Sequence, residues 1–399
     1  MSSTNTGARL GTALLAYMLA VTLIVTLLPF RFRAPQHWRV LFTGDVTDLV
    51  ANVLLFIPLG FLYRAARPAA RARFAFSVFL IGAAVSALIE TAQLFVSARD
   101  ASLLDVASNA LGAWIGAAAF DRIARFGRDG RRLGWLALEL PIMGVIYLLV
   151  PLLWVSSLAS RGEPLRHGAL LLLGLFGAIL LGGVQRDYVS RSRARMAGAA
   201  PAFATAWFVA GTFPLLPSRP LHVLIGAAVV AAACWCTMRN AASRARSERR
   251  FEIPLLKSAA PLYAIYLAFI MAAPLTGDIV SWQLWLGFPG IASHQTEILR
   301  LLEVVAAFTL LGYMVAEFRG RTILYFRSAL PRVVGWGVTL ALGAEVLRGF
   351  QWRGGASVAR GVMLALAAIY GGWLYYLQRA HAMRLLSQLP TLDGEIIRP

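Results

Sequence analysis

The sequence predicts an all-α polytopic membrane protein of about twelve transmembrane helices, arranged as repeated four-helix units in parallel orientation. Of the 399 residues, 59% are hydrophobic and only 14% are charged, and the mean hydropathy is +0.67. Soluble domains have about 45–50% apolar and about 25% charged residues, so a water-soluble enzyme is excluded. The apolar residues also occur in blocks of roughly 20, the length that a hydrocarbon core of about 30 Å requires of a spanning helix.

Twelve apolar blocks lie between polar breaks, and each is interpreted as a spanning helix. They are Leu10–Phe30, Leu49–Tyr63, Phe74–Val96, Ser102–Phe120, Leu133–Leu158, Gly168–Val184, Ala197–Pro217, Leu221–Met238, Ile253–Leu275, Ile298–Ala316, Leu330–Leu347 and Val358–Leu377. We group them into three four-helix membrane units, residues 1–132, 133–252 and 253–399, the last with a cytoplasmic tail. The role of the middle unit stays open.

The net charge of +19 would suggest a nucleic-acid partner in a soluble protein. Here nearly all the basic residues are arginines in short connections, where they set membrane orientation, so we expect no nucleic-acid partner. Alternate connections hold 21 and 9 arginines, and the richer set is expected in the cytoplasm. The prediction is a multi-pass protein of the bacterial cytoplasmic (inner) membrane with both termini inside and an uncleaved first span.

A faint internal repeat becomes visible when the chain is shifted by 255 residues. The matches are Glu90 with Glu345, Phe95 with Phe350, Ala101 and Ser102 with Ala356 and Ser357, and Gly116 with Gly371. Both copies enter the membrane from the same side, which predicts that spans nine to twelve repeat spans one to four. The second copy is degenerate, because Asp105 falls on Arg360 and Asn109 on Leu364. Glu345 and Arg360 are expected to form a structural pair in place of the carboxylates.

Polar side chains inside the spans are costly, and most of them lie in the first unit. The candidate site consists of Asp48, Asn52, Glu90, Gln93, Arg99, Asp105 and Asn109. Spacings of three or four residues place the members from each span on a single helix face. From the helix rise we expect all three helices to bring their polar groups to one outward-opening level.

Two of these carboxylates have a structural alternative. Asp48 and Asp105 lie in first turns, where the helix dipole favours a negative charge, and Ser102 with Asp105 fits a capping box. Glu90 lies toward the C-terminal end of its own span, where the dipole repels a carboxylate, so it needs a cation or a proton. Arg99 is the nearest candidate partner, with interfacial snorkelling as its alternative role.

Other features of the spans have ordinary structural interpretations. Gly112 and Gly116 form a small-residue stripe that lets the fourth span pack closely against a neighbour. Charged positions in later spans, Glu303 and Arg300 among them, are left to snorkelling, internal pairing or errors in the predicted boundaries. The histidines have no metal-ligand spacing.

The polar motif resembles the VanZ-like family in order and spacing, over residues 48–61, 90–95 and 99–116. The resemblance covers Leu10–Phe120 well and Ile298–Leu377 in degenerate form. The family's name-giving member is linked to low-level teicoplanin resistance, and related domains occur beside exopolysaccharide and envelope functions. The resemblance therefore implies a role in the cell envelope.

The leading hypothesis is an outward-facing pocket that binds or modifies the head group of a lipid or lipid-linked envelope intermediate. The catalytic candidates are Glu90, Asp105 and Asp48, and the substrate-binding candidates are Asn52, Gln93, Arg99 and Asn109. Arg99 would contact a phosphate. Either Glu90 accepts a proton, or the carboxylates and amides hold a divalent cation such as Mg²⁺ or Ca²⁺.

Two further hypotheses belong to other functional classes. A secondary transporter or flippase for an envelope lipid or small substrate fits the twelve spans and the repeat, although such proteins place their sites near mid-membrane. A scaffold for an envelope assembly would leave the polar groups without a ligand. Whether bonds are made or broken, and which oligomeric state the protein adopts, stay open.

Overall fold

Twelve α-helices account for most of the residues that the computed structural model describes, and the predicted all-α fold class is confirmed. The described residues are 5–33, 40–41, 45–67, 74–96, 101–126, 130–189, 199–240, 252–272, 281–288, 295–320, 326–350 and 355–387. The helices are α1 (Asn5–Leu27), α2 (Val46–Ala66), α3 (Phe74–Gln93), α4 (Leu103–Phe126), α5 (Gly130–Ala159), α6 (His167–Val189), α7 (Ala199–Gly211), α8 (Pro220–Asn240), α9 (Glu252–Ala272), α10 (Gln295–Gly320), α11 (Phe326–Gly349) and α12 (Val358–Ser387). Each corresponds to one apolar block of the sequence.

Nine of the helices in the described ranges are long and apolar enough to cross a membrane by length and composition. The other three, α5, α7 and α9, contribute shorter apolar segments, Met143–Ala159, Ala199–Gly211 and Leu255–Met271. Only helices and closed barrels satisfy all their backbone hydrogen bonds inside a bilayer. The helical composition is therefore that of a multi-pass membrane protein.

Two short parallel ladders lie between helices, and the sequence analysis did not predict them. Strand β1 (Val40–Leu41) pairs with β2 (Ala101–Ser102), and β3 (Leu284–Trp285) pairs with β4 (Ala356–Ser357). Strand β2 runs directly into α4, and β4 runs directly into α12. Each ladder therefore fixes the backbone at the N-terminus of a helix.

The chain forms two compact units, residues 1–141 with 376–399 and residues 142–375. The first unit contains α1–α4, which we call the N-terminal bundle. The second contains α9–α11 and the part of α12 up to Tyr375, which we call the C-terminal bundle, together with α6–α8 and most of α5. The division into three four-helix units stays a prediction.

The core of the second unit is built around α5. Leu148, Leu149, Leu152 and Leu153 of this helix are all buried, and Phe176 of α6 is buried as well. A helix that is apolar on all sides is expected inside a protein core.

In the N-terminal bundle, glycines of α4 allow backbone contact with α2. A Cβ atom added at Gly112 would overlap the carbonyl oxygen of Val53, and one added at Gly116 would overlap that of Ile57. The close packing predicted from the small-residue stripe of α4 is confirmed. Because the later glycine meets the later residue of α2, the two helices run parallel.

The C-terminal bundle repeats the close contacts of the N-terminal bundle. Equivalent contacts are Gly60 with Ala113 and Gly312 with Ala368, Gly116 with Ile57 and Gly371 with Thr309, and Gly82 with Ala113 and Gly337 with Ala368. Helices α11 and α12 thus match α3 and α4 at an offset of 255 residues, as from Gly116 to Gly371. Helix α10 matches α2 at an offset of 252 residues, as from Gly60 to Gly312.

We expect Gly116→Val to destabilise the protein by about 1–3 kcal/mol, the usual effect of overpacking a close contact. The added side chain would meet the Ile57 carbonyl. Thermal unfolding of the purified protein in detergent measures the effect. Gly343→Val on α11 is the matched control, because a Cβ atom there meets nothing within 4 Å. Equal stability of the two variants would contradict the packing of α4 on α2.

Candidate functional site

The end of α3 meets the start of α4 at Glu90, Ser102 and Asp105, which we call the acidic corner. Glu90 is 7% exposed, and its Oε2 accepts a hydrogen bond from the Ser102 backbone N–H at 2.8 Å. Ser102 Oγ accepts the Asp105 backbone N–H at 3.4 Å. Ser102 therefore caps α4 as the capping box predicts, but the Ser102 N–H goes to Glu90 on the neighbouring helix.

The position of Glu90 explains how a buried carboxylate is accommodated near the C-terminal end of α3. The dipole of α3 alone is unfavourable there, as the sequence analysis assumed. The structure places the carboxylate on the backbone just before α4, where the positive end of a second helix dipole stabilises negative charge. The neighbouring helix thus supplies a stabilising interaction that Glu90's own helix does not.

One turn further into the bundle, Asn109 of α4 meets Ser86 of α3. Asn109 Nδ2 donates a hydrogen bond to Ser86 Oγ at 2.8 Å, and both side chains are buried. Asn109 Oδ1 is buried and has no hydrogen-bond partner among the described residues. Ser86 and Glu90, like Asp105 and Asn109, are four residues apart, so two polar faces oppose each other. Sequence reasoning missed Ser86, although its spacing from Glu90 was a usable signal.

The two candidates on α2 stand apart from this polar column. Asp48 lies in the first turn of α2 and is exposed, and Asn52 is half-buried one turn later. Neither side chain makes a hydrogen bond to another described residue. Because α2 runs parallel to α4 with Val53 beside Gly112, both residues lie at the same end of the bundle as the acidic corner.

Gln93 and Arg99 complete the predicted set. Gln93 is buried, and its Nε2 donates a hydrogen bond to the Thr26 carbonyl at 2.9 Å, which ties α3 to α1. Arg99 lies outside the described residues. The structure therefore gives Gln93 a helix-joining contact.

An ion pair marks the opposite end of the N-terminal bundle. Arg64 near the end of α2 contacts Asp121 near the end of α4, with Nε and Oδ1 2.7 Å apart. Arg64 follows Asp48 by about 24 Å along the helix at the usual rise of about 1.5 Å per residue. The acidic corner and this arginine thus lie at opposite ends of the bundle.

The C-terminal bundle contains an equivalent corner formed by Glu345, Ser357 and Arg360, which we call the paired corner. The Ser357 N–H donates to Glu345 Oε2 at 2.7 Å, and the Arg360 N–H donates to Ser357 Oγ at 3.1 Å. Arg360 Nε and Nη2 donate to the two oxygens of Glu345 at 2.6 and 2.7 Å. The predicted structural pair of Glu345 and Arg360 is confirmed, with bidentate geometry.

A second contact is present at equivalent positions in each bundle. Gln93 of α3 reaches the Thr26 carbonyl of α1, and Arg348 of α11 reaches the Ile270 carbonyl of α9 at 3.3 Å through Nη2. Gln93 and Arg348 are equivalent at the 255-residue offset. Each bundle therefore ties its third helix to the end of its first.

A polar cluster that sequence reasoning missed surrounds Glu303 of α10 in the second unit. Glu303 Oε1 accepts the hydroxyl of Ser156 at 2.6 Å and that of Tyr266 at 3.1 Å, and Oε2 pairs with Arg166. All four side chains are buried. Of the alternatives left open for Glu303, the structure shows internal pairing. Residues so far apart in the chain leave no spacing signal.

In the part of the chain that the structure describes, no group of three or more His, Cys, Asp or Glu side chains could hold a metal ion. The predicted Mg²⁺ or Ca²⁺ ligand set therefore gains no support from the described carboxylates.

Comparison with known proteins identifies the N-terminal bundle. A family model described as VanZ/LLP1 matches residues 5–125, from the start of α1 almost to the end of α4. The N-terminal bundle is therefore VanZ-like, as the polar motif predicts. No curated protein and no solved structure matches the chain.

We expect the double variant Ser86→Ala with Asn109→Leu to unfold at the wild-type temperature or above. It installs the residues of the C-terminal bundle, Ala341 and Leu364, and removes both hydrogen-bonding partners together with the unpaired Oδ1. Ser86→Ala alone leaves the buried Nδ2–H of Asn109 without its acceptor and should lower the free energy of unfolding by about 1–3 kcal/mol. Thermal unfolding distinguishes them, and equal destabilisation of both variants would contradict the described pair.

Proposed function

We propose that this protein, whose N-terminal bundle is VanZ-like, binds the head group of a lipid or lipid-linked envelope intermediate at the acidic corner. The observation that carries the proposal is the buried amide oxygen of Asn109 near the junction of α3 and α4, which has no hydrogen-bond partner among the described residues. Glu90 contributes a buried carboxylate at this junction, and the half-buried Asp105 follows the capping Ser102. A buried acceptor requires a donor, and head groups of envelope lipids present hydroxyl and amine donors.

The amide oxygen of Asn109 is the strongest indication of a missing donor. A buried polar atom without a hydrogen bond costs about 1–3 kcal/mol, and nearly all such atoms in proteins are satisfied. The C-terminal bundle avoids this cost, because Leu364 stands at the equivalent position. A head-group donor reaching one turn below the acidic corner would satisfy the oxygen.

The remaining candidates are assigned by position. Asp48 and Asn52 lie on the accessible side of the same bundle end and would contact the outer part of the head group. Gln93 holds α3 against α1 and positions Glu90. Arg99 would supply a phosphate contact. If the head group is modified as well as bound, Glu90 is the proton acceptor, with Asp105 and Asp48 as the further catalytic candidates.

An envelope location supports the same function. The VanZ-like resemblance implies an envelope context: the cell wall, exopolysaccharide functions, or glycopeptide resistance, of which teicoplanin resistance is the named case. The arginine distribution favours an orientation with both termini in the cytoplasm of a bacterium and the protein in its inner membrane. The acidic corner then faces outward, because it lies opposite Arg64.

We expect Glu90→Gln to reduce head-group binding at least tenfold while leaving the fold intact. Glutamine keeps an oxygen that can accept the Ser102 N–H, while the negative charge and one acceptor oxygen are lost. Native mass spectrometry of the purified full-length protein measures retention of three probes: phosphatidylethanolamine, phosphatidylglycerol and the undecaprenyl-linked cell-wall precursor lipid II. Diacylglycerol, which carries a single hydroxyl and no phosphate or amine, gives the background.

The matched control for this variant is Glu345→Gln combined with Arg360→Gln. It removes the equivalent carboxylate in the C-terminal bundle together with its cation, so no unpaired buried charge is left. Retained binding by this control and lost binding by Glu90→Gln support the proposal. If none of the three probes binds above the diacylglycerol background, the proposal is wrong.

The transporter or flippase hypothesis is tested with the same variants. Proteoliposomes containing a fluorescent lipid report movement between the leaflets. If the lipid moves between the leaflets only when the protein is present, and Glu90→Gln abolishes this movement, the transport hypothesis replaces the binding hypothesis.

The proposed orientation predicts that green fluorescent protein fused after Pro399 is fluorescent in cells, since it folds to the fluorescent form in the cytoplasm. The same fusion after Gly287, in the connection between α9 and α10, is expected to be dark. The reverse result would place the acidic corner on the cytoplasmic side.

A further inference from the structure

We infer that Arg348, in the last turn of α11, binds the phosphate of a lipid head group at the C-terminal bundle. This second site belongs to the other compact unit from the acidic corner, and it does not depend on the proposed function. Three observations support it: the contacts of Arg348, the residue at the equivalent position of the N-terminal bundle, and an aromatic segment that contacts the end of α11.

Arg348 has one long hydrogen bond and no carboxylate partner among the described residues. Its Nη2 donates to the Ile270 carbonyl at 3.3 Å. A guanidinium has five N–H donors, so most of those of Arg348 are left for another acceptor. Three other arginines of the second unit are paired: Arg166 with Glu303, Arg300 with Glu163 and Glu297, and Arg360 with Glu345.

The carboxylates that act on Arg348 belong to these other ion pairs. Glu345 and Glu297 attract the guanidinium of Arg348, but each already has an arginine at ion-pair distance. Both oxygens of Glu345 accept hydrogen bonds from Arg360. Arg360 and Arg166 repel the guanidinium of Arg348. The charge of Arg348 therefore has no ion-pair partner within the described residues, and an added anion would be attracted by all three arginines.

The N-terminal bundle shows that the helix contact of Arg348 does not require a charge. Gln93 donates to the Thr26 carbonyl at 2.9 Å and ties α3 to α1, as Arg348 ties α11 to α9. A neutral amide thus makes the equivalent contact at a shorter distance. Because charged side chains in membrane-spanning helices are costly, the charge of Arg348 needs another explanation.

Two further positions at this bundle end also carry arginine in the C-terminal bundle. At the offsets fixed by the glycine contacts, Asp48 corresponds to Arg300 and Asp105 to Arg360. The C-terminal bundle is therefore basic at positions where the N-terminal bundle is acidic. Basic groups between membrane helices are a common means of binding phosphate-bearing lipid head groups.

Arg166, whose charge acts on Arg348, has an unused donor of its own. It is 2% exposed, and its Nη2 pairs with Glu303. Its Nε is buried and has no hydrogen-bond partner among the described residues. Nearly all buried donors in proteins are satisfied. A phosphate group, which offers several charged acceptor oxygens, is the ligand that arginine donors match best.

An aromatic segment places Arg348 at the level of the lipid head groups. The Gln283 N–H donates to the Gly349 carbonyl at 3.0 Å, and Trp282 Nε1 donates to a carbonyl in the last turn of α11 at 3.3 Å. Trp282 and Trp285 are nevertheless 45% and 51% exposed. Exposed tryptophans at the end of a spanning helix are typical of the membrane interface. Lipid is therefore the nearest source of phosphate.

The test is Arg348→Gln, which removes the charge and keeps the kind of donor that Gln93 uses in the equivalent contact. The probe is phosphatidic acid, whose head group is phosphate alone, and diacylglycerol with the same acyl chains gives the background. Native mass spectrometry of the purified full-length protein measures retention. We expect at least tenfold weaker binding of phosphatidic acid, with the unfolding temperature of the wild type.

Arg219→Gln is the matched control, because it removes the same charge at an exposed position of the second unit. It should retain phosphatidic acid in full. Equal loss of binding in both glutamine variants would show a general effect of charge and overturn the inference. Wild-type binding by Arg348→Gln, or binding by the wild type no stronger than the diacylglycerol background, would overturn it as well.

If Arg348→Gln does not fold, an experimental structure of the wild-type protein with phosphatidic acid decides. Density for the phosphate at Arg348 supports the inference, and its absence there overturns it. Inorganic phosphate identifies the source of the ligand. We expect it to leave the lipid bound, because it has no acyl chains, whereas complete displacement would indicate a site for soluble phosphate and overturn the lipid as ligand.

Glu90→Gln separates this site from the acidic corner. Phosphatidic acid has neither an amine nor an alcohol group, so this variant should retain it. Loss of phosphatidic acid with Glu90→Gln and not with Arg348→Gln would assign the phosphate to the acidic corner and overturn the inference. Conversely, failure of the Arg348 site leaves head-group binding at the acidic corner standing, since that binding is tested by Glu90→Gln with other lipids.

Discussion

The N-terminus of α4 imposes the constraint on which the acidic corner depends. The first backbone N–H groups of a helix have no partner within that helix, and where they are buried they need a partner from elsewhere in the protein. Ser102 caps one such group through its hydroxyl, and Glu90 accepts the N–H of Ser102 itself. Because Glu90 belongs to α3, this solution also fixes the end of α3 against the start of α4. The glycine contacts between α2 and α4 then complete a rigid frame around the corner.

The C-terminal bundle shows that this constraint does not by itself require an acidic site. Its own glutamate accepts the serine N–H in the same way, and Arg360 neutralises the carboxylate. Removing one partner of such a buried pair generally lowers stability by about 3–5 kcal/mol. The buried carboxylate of Glu345 therefore depends on Arg360. The buried cluster around Glu303 follows the same rule, since Arg166 and two hydroxyl groups satisfy its carboxylate. Glu345 and Glu303, two buried carboxylates of the second unit, are thus each paired with an arginine of the same chain.

The sequence predicted what depends on local composition and missed what depends on distant partners. Helix number and approximate position follow from apolar block length, and the close approach of α4 follows from Gly112 and Gly116. The pairing of Glu345 with Arg360 was accessible because the repeat placed them at similar depths. The short ladders and the Glu303 cluster were not, since each joins residues without a periodic relation. Ser86 was missed although its four-residue spacing from Glu90 was a usable signal. The sequence argument considered only the dipole of Glu90's own helix, α3. In the structure the carboxylate lies at the N-terminus of the neighbouring helix, α4, whose dipole stabilises negative charge.

A comparison within the chain separates the structural part of the acidic corner from the part that needs another explanation. The serine N–H bond to a glutamate is common to both bundles and is sufficient for the helix junction. The C-terminal bundle forms the same junction with arginine at position 360, alanine at 341 and leucine at 364. Asp105, Ser86 and Asn109 therefore go beyond what the junction requires, and the unpaired oxygen of Asn109 is unfavourable for folding by about 1–3 kcal/mol. The Asn109 amide oxygen, for which the C-terminal bundle has the apolar alternative Leu364, is therefore the feature that the proposed ligand contact would account for.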